Sequence, residues 1–527
     1  MAKTYFCNEK STADTPNGKL RGYFADGVYV FHGIRYAKAK RFQMPPPVEP
    51  WEGVKDALSY GYICPVLDNP MPTNELGCTH RFWPENEHCQ YLNIWTTELK
   101  PSAKKPVMVW LHGGGFSAGS SIEQVCYEGD NLSKFGDVVV VSINHRLNVF
   151  GHLDMSAFGE KYKNSVNAGI ADIVEALRWI KNNISAFGGD PGNVTIFGQS
   201  GGGGKVTTLG QIPAAAGLFH KAIVMSGVLD DSLMGATVDP KERVLAILAE
   251  LGIPENEAER LERVPTALLI RAVNKAEKKL HAAGKRTTWA PMPDDYYVGD
   301  PLSVGFTEYY RTVPTIVGSV MCEFSGFFNI PNKDELSAEE RRAAVASRFG
   351  EENADRAIEL FKAAFPGKNE VYTNLVDTVF RPLSVRYARK KAEESSAPVY
   401  CYLFNLEFNE GGTVGAGHCS DIPFFFHNTD RLPINWIEGV TEKLERQMAG
   451  AFVNFARSGN PNAAELPGWA PCTKDEVVTM NFDRECEAKV NFDDELMDFA
   501  AKTLPPFSFN FPDPEDEDEE GGSAWVF

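Results

Sequence analysis

Cysteine is scarce, ten residues in 527, far too few for the disulfide framework of a small secreted scaffold. No Cys-x-x-Cys pair or His-x-x-x-His spacing offers a zinc site, so no metal is expected. Also absent is any run long and apolar enough to cross a bilayer, and the first ten residues hold neither an apolar core nor a small-residue cleavage site. The expectation is a soluble, cytoplasmic protein with mostly reduced thiols; Cys64 and Cys89 could close a loop of modest length if it were exported. Positive charge is in deficit: Lys and Arg number 52 against 71 Asp and Glu, a net charge of −19. Seven of those negative charges lie between Asp513 and Glu520, and the −12 that remains argues against nucleic acid or an anionic membrane as partner. Segment 512–527 reads as a solvated, disordered acidic tail. Linkers, low-complexity tracts and internal repeats are missing as well. One large domain over 1–511 is therefore expected, although the length allows two to four.

What is present is an alternation. Continuous apolar runs at Pro106 to Leu111, Asp137 to Ile143, Val194 to Phe197 and Ala222 to Met225 read as buried strands, followed later by Thr315 to Val320 and Val399 to Phe404. Between them lie helical periods. In the clearest, Asn167 to Phe187, residues Ile170, Ile173, Val174, Leu177, Ile180 and Ile184 recur at three- and four-residue spacing before the stop Gly188-Gly189. Strands and helices in this order imply an α/β fold, a mostly parallel sheet covered on both faces. The charged helical stretches at about 241–284 and 334–367 read as insertions around it.

Ligands of open parallel sheets bind at the carboxyl ends of the strands. Two strands here run into glycine clusters: Pro106 to Leu111 into His112-Gly113-Gly114-Gly115-Phe116, and Val194 to Phe197 into Gly198-Gln199-Ser200-Gly201-Gly202-Gly203-Gly204. The second fits the Gly-x-Ser-x-Gly elbow, in which a nucleophile sits on a sharp strand-to-helix turn between small neighbours. Four glycines would weaken a helix start by roughly 0.5 to 1 kcal/mol each, so close approach of a backbone or a ligand explains them better than helix formation does. Ser200 is the first candidate for chemistry. Glycine amides at both strand ends could serve as oxyanion donors.

A serine hydroxyl needs an imidazole to take its proton and a carboxylate to orient that imidazole. In the chain order Ser, acid, His, the base is His418 or His427. His418 lies in the turn Gly415-Ala416-Gly417-His418 after a strand and is preferred, whereas His427 follows Phe424, Phe425 and Phe426 and reads as a packed or capping residue. Glu323, just beyond the strand Thr315 to Val320, is the preferred acid, with Asp294, Asp295 and Asp377 as rivals.

From about Gly18 to about Trp469 the chain resembles the type B carboxylesterase/lipase family, the cholinesterase-like esterases of the α/β-hydrolase fold. The resemblance is carried by Val28 to Ala37, Glu87 to Trp95, His112 to Phe116, Ala176 to Ile180, Phe187 to Pro191, Gly415 to His418 and Asn454 to Asn462. It implies Ser200 as nucleophile, His418 as base and Glu323 as acid, with backbone N–H groups of Gly114, Gly115 and Gly201 as the oxyanion hole and Ser226 in support. It implies no cofactor. Departures from the family pattern are Gln199 where Glu usually stands, Gly201 for Ala, His145 for Tyr and Phe324 for Gly. A neutral Gln199, and Trp83 at the wrong distance from Cys89, argue against a cationic choline substrate, and the short stretch between Cys64 and Cys89 argues against a long lipase lid.

The expectation is thus a serine carboxylesterase acting on small-molecule esters through an acyl-enzyme. Alternatives are a lipase on longer chains, an amidase or peptidase, and a catalytically inert binding protein of the same fold. Pocket walls are expected from loops within Val228 to Thr237, Leu280 to Asp295 and Phe324 to Ile330. Oligomeric state is left open.

Overall fold

The apolar runs of the sequence become neighbouring strands of one twelve-stranded sheet. The computed structural model describes residues 4–67, 76, 80–230, 237–324, 333–407, 409–410, 413–414, 416–432 and 436–505. The acidic tail, Gly415 of the histidine turn, and the greater parts of the loops 228–237 and 324–330 lie outside the described residues. In chain order the strands are β1 (Tyr5–Phe6), β2 (Tyr23–Ala25), β3 (Val28–Arg35), β4 (Tyr91–Thr96), β5 (Lys105–Leu111), β6 (Val139–Asn144), β7 (Gly189–Gln199), β8 (Lys221–Met225), β9 (Thr315–Val320), β10 (Val399–Phe404), β11 (Val478–Phe482) and β12 (Glu487–Val490). In space they run β1-β2-β3-β4-β6-β5-β7-β8-β9-β10-β11-β12. From β6 to β11 every pairing is parallel, and the outer pairings are antiparallel.

Side chains alternate between two buried faces, which is why these strands read as unbroken apolar runs. Along β5, Met108 and Trp110 enter one core with Phe197, Met225 and Tyr402. Val107, Val109 and Leu111 enter the other with Val194, Ile196 and the helix stripe Ile170, Ile173, Val174, Leu177, Ile180. That stripe lies on α1 (Ala168–Asn183), which tightens into a 3-10 turn over Ile184–Phe187 and is ended by Gly188 at φ 77°. Strand β6 begins two residues later than the sequence suggests, because Asp137 adopts φ 45° to end the helix Asp130–Gly136.

Helices Pro240–Glu250 and Thr266–Ala282 pack together through Val244, Ile247, Leu269 and Val273 against Leu147 and Phe150. Helices Ala338–Phe349 and Ala354–Ala364 share a smaller core of Val345, Phe349 and Ala357. Cys64 and Cys89 lie side by side, buried, as free thiols. Among the described residues no helix is long and apolar enough to cross a membrane.

Candidate active site

Strand β7 delivers Ser200 to a sharp turn with φ 57° and ψ −127°, a conformation that costs an L-residue free energy and marks the elbow between β7 and α2 (Gly201–Gly210). The turn is clamped by its backbone: the Ser200 N–H donates to the Met225 carbonyl at 2.9 Å, and its own carbonyl accepts from Gly204 at 3.0 Å. The glycines are explained by close backbone approach. A Cβ on Gly202 would lie 2.0 Å from the carbonyl oxygen of Leu111, and one on Gly203 would lie 2.8 Å from the Cα of Gly227. On Gly201 it would lie 2.2 Å from the carbonyl oxygen and 2.4 Å from the nitrogen of Gly115. The alanine usual in the family after the serine has no room here with the loop 113–115 as it stands.

That loop leaves β5 and crosses in front of Ser200: a Cβ on Gly113 would lie 3.6 Å from Cβ of Ser200. Gly114 and Gly115 both hold positive φ, 79° and 60°, which glycine alone adopts freely. Gly115 thus lies against Gly201, the residue after the serine, and Gly113 against Ser200 itself. Ser226 follows Met225 at the end of β8 with φ 43°, and its N–H donates to Gly318 at 2.7 Å. Its hydroxyl is buried with no described partner.

Beyond β9 and β10, two turns are clasped by backbone bonds, Cys322 N–H to Ala416 and His418 N–H to Glu323, both 3.0 Å. The clasp sets Glu323 Oε2 2.5 Å from His418 Nδ1, while Oε1 accepts from the Val320 N–H at 3.0 Å. Glu323 is 1% exposed. The imidazole in turn lies against the residue preceding the serine, with Gln199 Nε2 3.3 Å from each ring nitrogen and Gln199 Oε1 3.2 Å from the Cys419 thiol that donates to it. Phe380 stacks on the imidazole at 5.6 Å, and Phe324 stacks on Phe380 at 6.0 Å, so the aromatic that replaces the family glycine backs the ring that flanks His418.

The rival residues stand elsewhere. Asp377 accepts the N–H groups of Val379, Phe380 and Arg381, opening the helix that carries Phe380. Asp294 and Asp295 both take the side-chain amide of Asn164. His427 ends the helix Ile422–Phe426 at φ 58°, beside Phe135 and 3.3 Å from Glu445. His145, in place of the family tyrosine, is buried, stacks on His112 at 5.1 Å and donates from Nδ1 to the Arg146 carbonyl. Burial holds its imidazole well below the usual histidine range, and the nearby Lys205 charge adds to this.

Three residues of the site escape a reading of motifs. Asp421, three positions after His418, is fully buried and accepts from the Tyr402 hydroxyl at 2.7 Å. Cys419 orients the Gln199 amide. Lys205, the single charged residue of α2, points inward to the carbonyls of the loop 112–113. Its isolation in an otherwise uncharged helix is a signal the sequence does carry.

The site brings a strained serine, a carboxylate-held imidazole and a glycine loop to one strand edge. The sequence model of the Carboxylesterase family matches residues 9–500. Para-nitrobenzyl esterase of Bacillus subtilis (strain 168) is 34% identical over 89% of this chain and 94% of its own length. Phenmedipham hydrolase of Pseudarthrobacter oxydans is 31% identical over 89% and 94%. The solved structure of an esterase from Clostridium hathewayi that can hydrolyze aliphatic aromatic polyesters superposes with a TM-score of 0.91 at 48% identity, covering 95% of this chain and all of that one. A thermophilic PNB esterase superposes with 0.73 at 30% identity, over 93% and 99%. The chain belongs to the carboxylesterase family, with the α/β-hydrolase fold of the type B carboxylesterases, and is a carboxylic-ester hydrolase.

Proposed function

We propose that the protein cleaves its esters through an acyl-enzyme formed on Ser200. The Ser200 hydroxyl oxygen attacks the ester carbonyl as its proton passes to His418 Nε2, whose Nδ1–H is held by Glu323; the carbonyl electrons move onto the oxygen facing the amides of Gly114, Gly115 and Gly201. Collapse of the tetrahedral species expels the alcohol, which takes the proton from His418. Water then gives its proton to His418 and adds to the acyl carbon; the second tetrahedral species releases the acid, and the proton returns to Ser200. Ser226 supports the turn.

The observation that carries this reading is the 2.5 Å contact between His418 Nδ1 and Glu323 Oε2, held by the clasped turns, with the imidazole against the residue that precedes Ser200. For substrate we favour esters with an aromatic group next to the scissile bond, supported by similarity to a para-nitrobenzyl esterase and to an esterase that can hydrolyze aliphatic aromatic polyesters. A fluorophosphonate should label the wild type and fail on S200A, and S200A should lose several orders of magnitude in turnover of a p-nitrophenyl ester. Near-normal turnover by S200A would remove Ser200 from the mechanism. A panel of aryl and long-chain alkyl esters separates the aromatic preference from a lipase-like one, which would favour emulsified long chains.

A further inference from the structure

Helix α2 has the sequence Gly-Gly-Gly-Gly-Lys-Val-Thr-Thr-Leu-Gly, and its one ionisable side chain, Lys205, is completely buried. Nothing in helix formation calls for a cation there. Among the described residues no carboxylate lies within ion-pair distance of Nζ. Its hydrogen bonds go instead to two carbonyl oxygens of the glycine loop, His112 at 2.8 Å and Gly113 at 3.4 Å. A second donor, His112 Nδ1–H, reaches the same Gly113 oxygen at 2.9 Å. The ring of Phe116 lies 5.8 Å away. An ammonium taken out of water with no carboxylate in contact is destabilising, so a chain that keeps one at this spot has a use for it.

We propose that Lys205 is a positioning residue for the oxyanion hole: its ammonium grips the His112 and Gly113 carbonyls from behind and so aims and polarises the amides in front, that of Gly114 above all.

In a planar trans peptide unit the C=O and N–H bonds point in opposite directions. Two donors on the Gly113 oxygen, Lys205 Nζ and His112 Nδ1, therefore fix the Gly114 N–H to point away from them. A cation on the carbonyl also draws electron density through the peptide and makes that N–H a stronger donor. Lys205 comes four residues after Gly201, so on the helix it stands one turn behind the third amide and on the same side. Its buried charge acts on an oxygen that gains charge only as the tetrahedral species forms, which is the condition for accelerating the step without tightening the substrate complex. Burial pulls the amine down to about 7, and the charge of Glu123 works against that pull.

This rests on the acyl-enzyme reading, and fluorophosphonate labelling of the wild type tests that reading separately. The test compares K205M, which keeps the volume and removes every donor, with K205Q, which keeps a donor without the charge. Reactive sites in each are counted by end-point labelling, so that misfolded protein does not enter kcat. We expect kcat per labelled site on p-nitrophenyl butyrate to fall about 10- to 1000-fold in K205M with KM within about threefold of wild type, and K205Q to fall between the two. Affinity for a trifluoromethyl ketone, which a reactive serine captures as a tetrahedral oxyanion, should drop by a similar factor. A kcat per labelled site within twofold of wild type, or a loss confined to KM, would overturn the proposal. So would failure of both variants to fold while the wild type labels normally, since Lys205 would then be a structural prop.

Discussion

The side-chain amide nitrogen of Gln199 stands 3.3 Å from both ring nitrogens of His418, and the Cys419 thiol holds the other end of that amide. The contact ties the residue before the nucleophile to the base by a neutral group. A carboxylate in the same place would favour the imidazolium, and the reaction needs the imidazole. Q199E should therefore move the acidic limb of the kcat/KM profile to higher pH, by about half to one unit, with activity on the plateau changed only severalfold. Profiles of the two proteins between pH 5 and 9 check this; a limb that stays put or moves to lower pH would show that position 199 does not act on His418.

Among the described residues the Glu323 carboxylate accepts twice, once from Val320 N–H and once from His418 Nδ1. A glutamine keeps the shape but offers an NH₂ that can face Nδ1, selecting the tautomer in which Nε2 carries the proton and cannot receive one from serine. E323Q should lose roughly 10² to 10⁴ in kcat with KM little changed. Steady-state kinetics on a chromogenic ester decides it, and activity within tenfold of wild type would assign the orienting role elsewhere.

The sheet was legible because its central strands are buried on both faces, so that Val139 to Ile143 or Thr315 to Val320 needs no partner information to be read as strand. The elbow was legible because a serine between glycines after such a strand has few other uses. Asp421 was not, and Lys205 stood out only as a lone charge: their meaning comes from carbonyls and hydroxyls supplied by the end of β5 and by β10, and no spacing along the chain reports a contact made across a fold. In the sequence Phe324 is only a departure from the family glycine; its place on Phe380 is a pairwise packing fact that only the tertiary structure contains.

Gly202 offers a stability test of the elbow. Its Cα faces the carbonyl oxygen of Leu111 so closely that a methyl would lie 2.0 Å away, and that oxygen belongs to a central strand hydrogen-bonded on both sides, which cannot yield. G202A should destabilise the protein by about 1–3 kcal/mol or more through overpacking, despite the better helix propensity of alanine. Urea unfolding measures it, and an unchanged or raised midpoint would mean that α2 can slide away from β5.

Asp421 supplies the pH test. Burial, and next the opposing pulls of the Tyr402 hydrogen bond and the Glu323 charge, leave its carboxyl raised to about 7; one oxygen accepts from Tyr402 and the other has no described partner. A folded-state value above the unfolded one means that the native protein holds this proton more tightly. The stability it contributes is complete below about pH 4 and is lost as pH climbs to about 7. Asparagine has the shape of the protonated acid and never ionises, so D421N should escape that loss. Relative to wild type it should gain on the order of 2–3 kcal/mol between pH 5 and pH 8, whatever the offset at pH 5. Asp377, also raised to about 7 by burial and Glu323, is present in both proteins and cancels. Urea unfolding of the pair at the two pH values is the measurement, and a difference that stays constant across them would mean that Asp421 is ionised throughout.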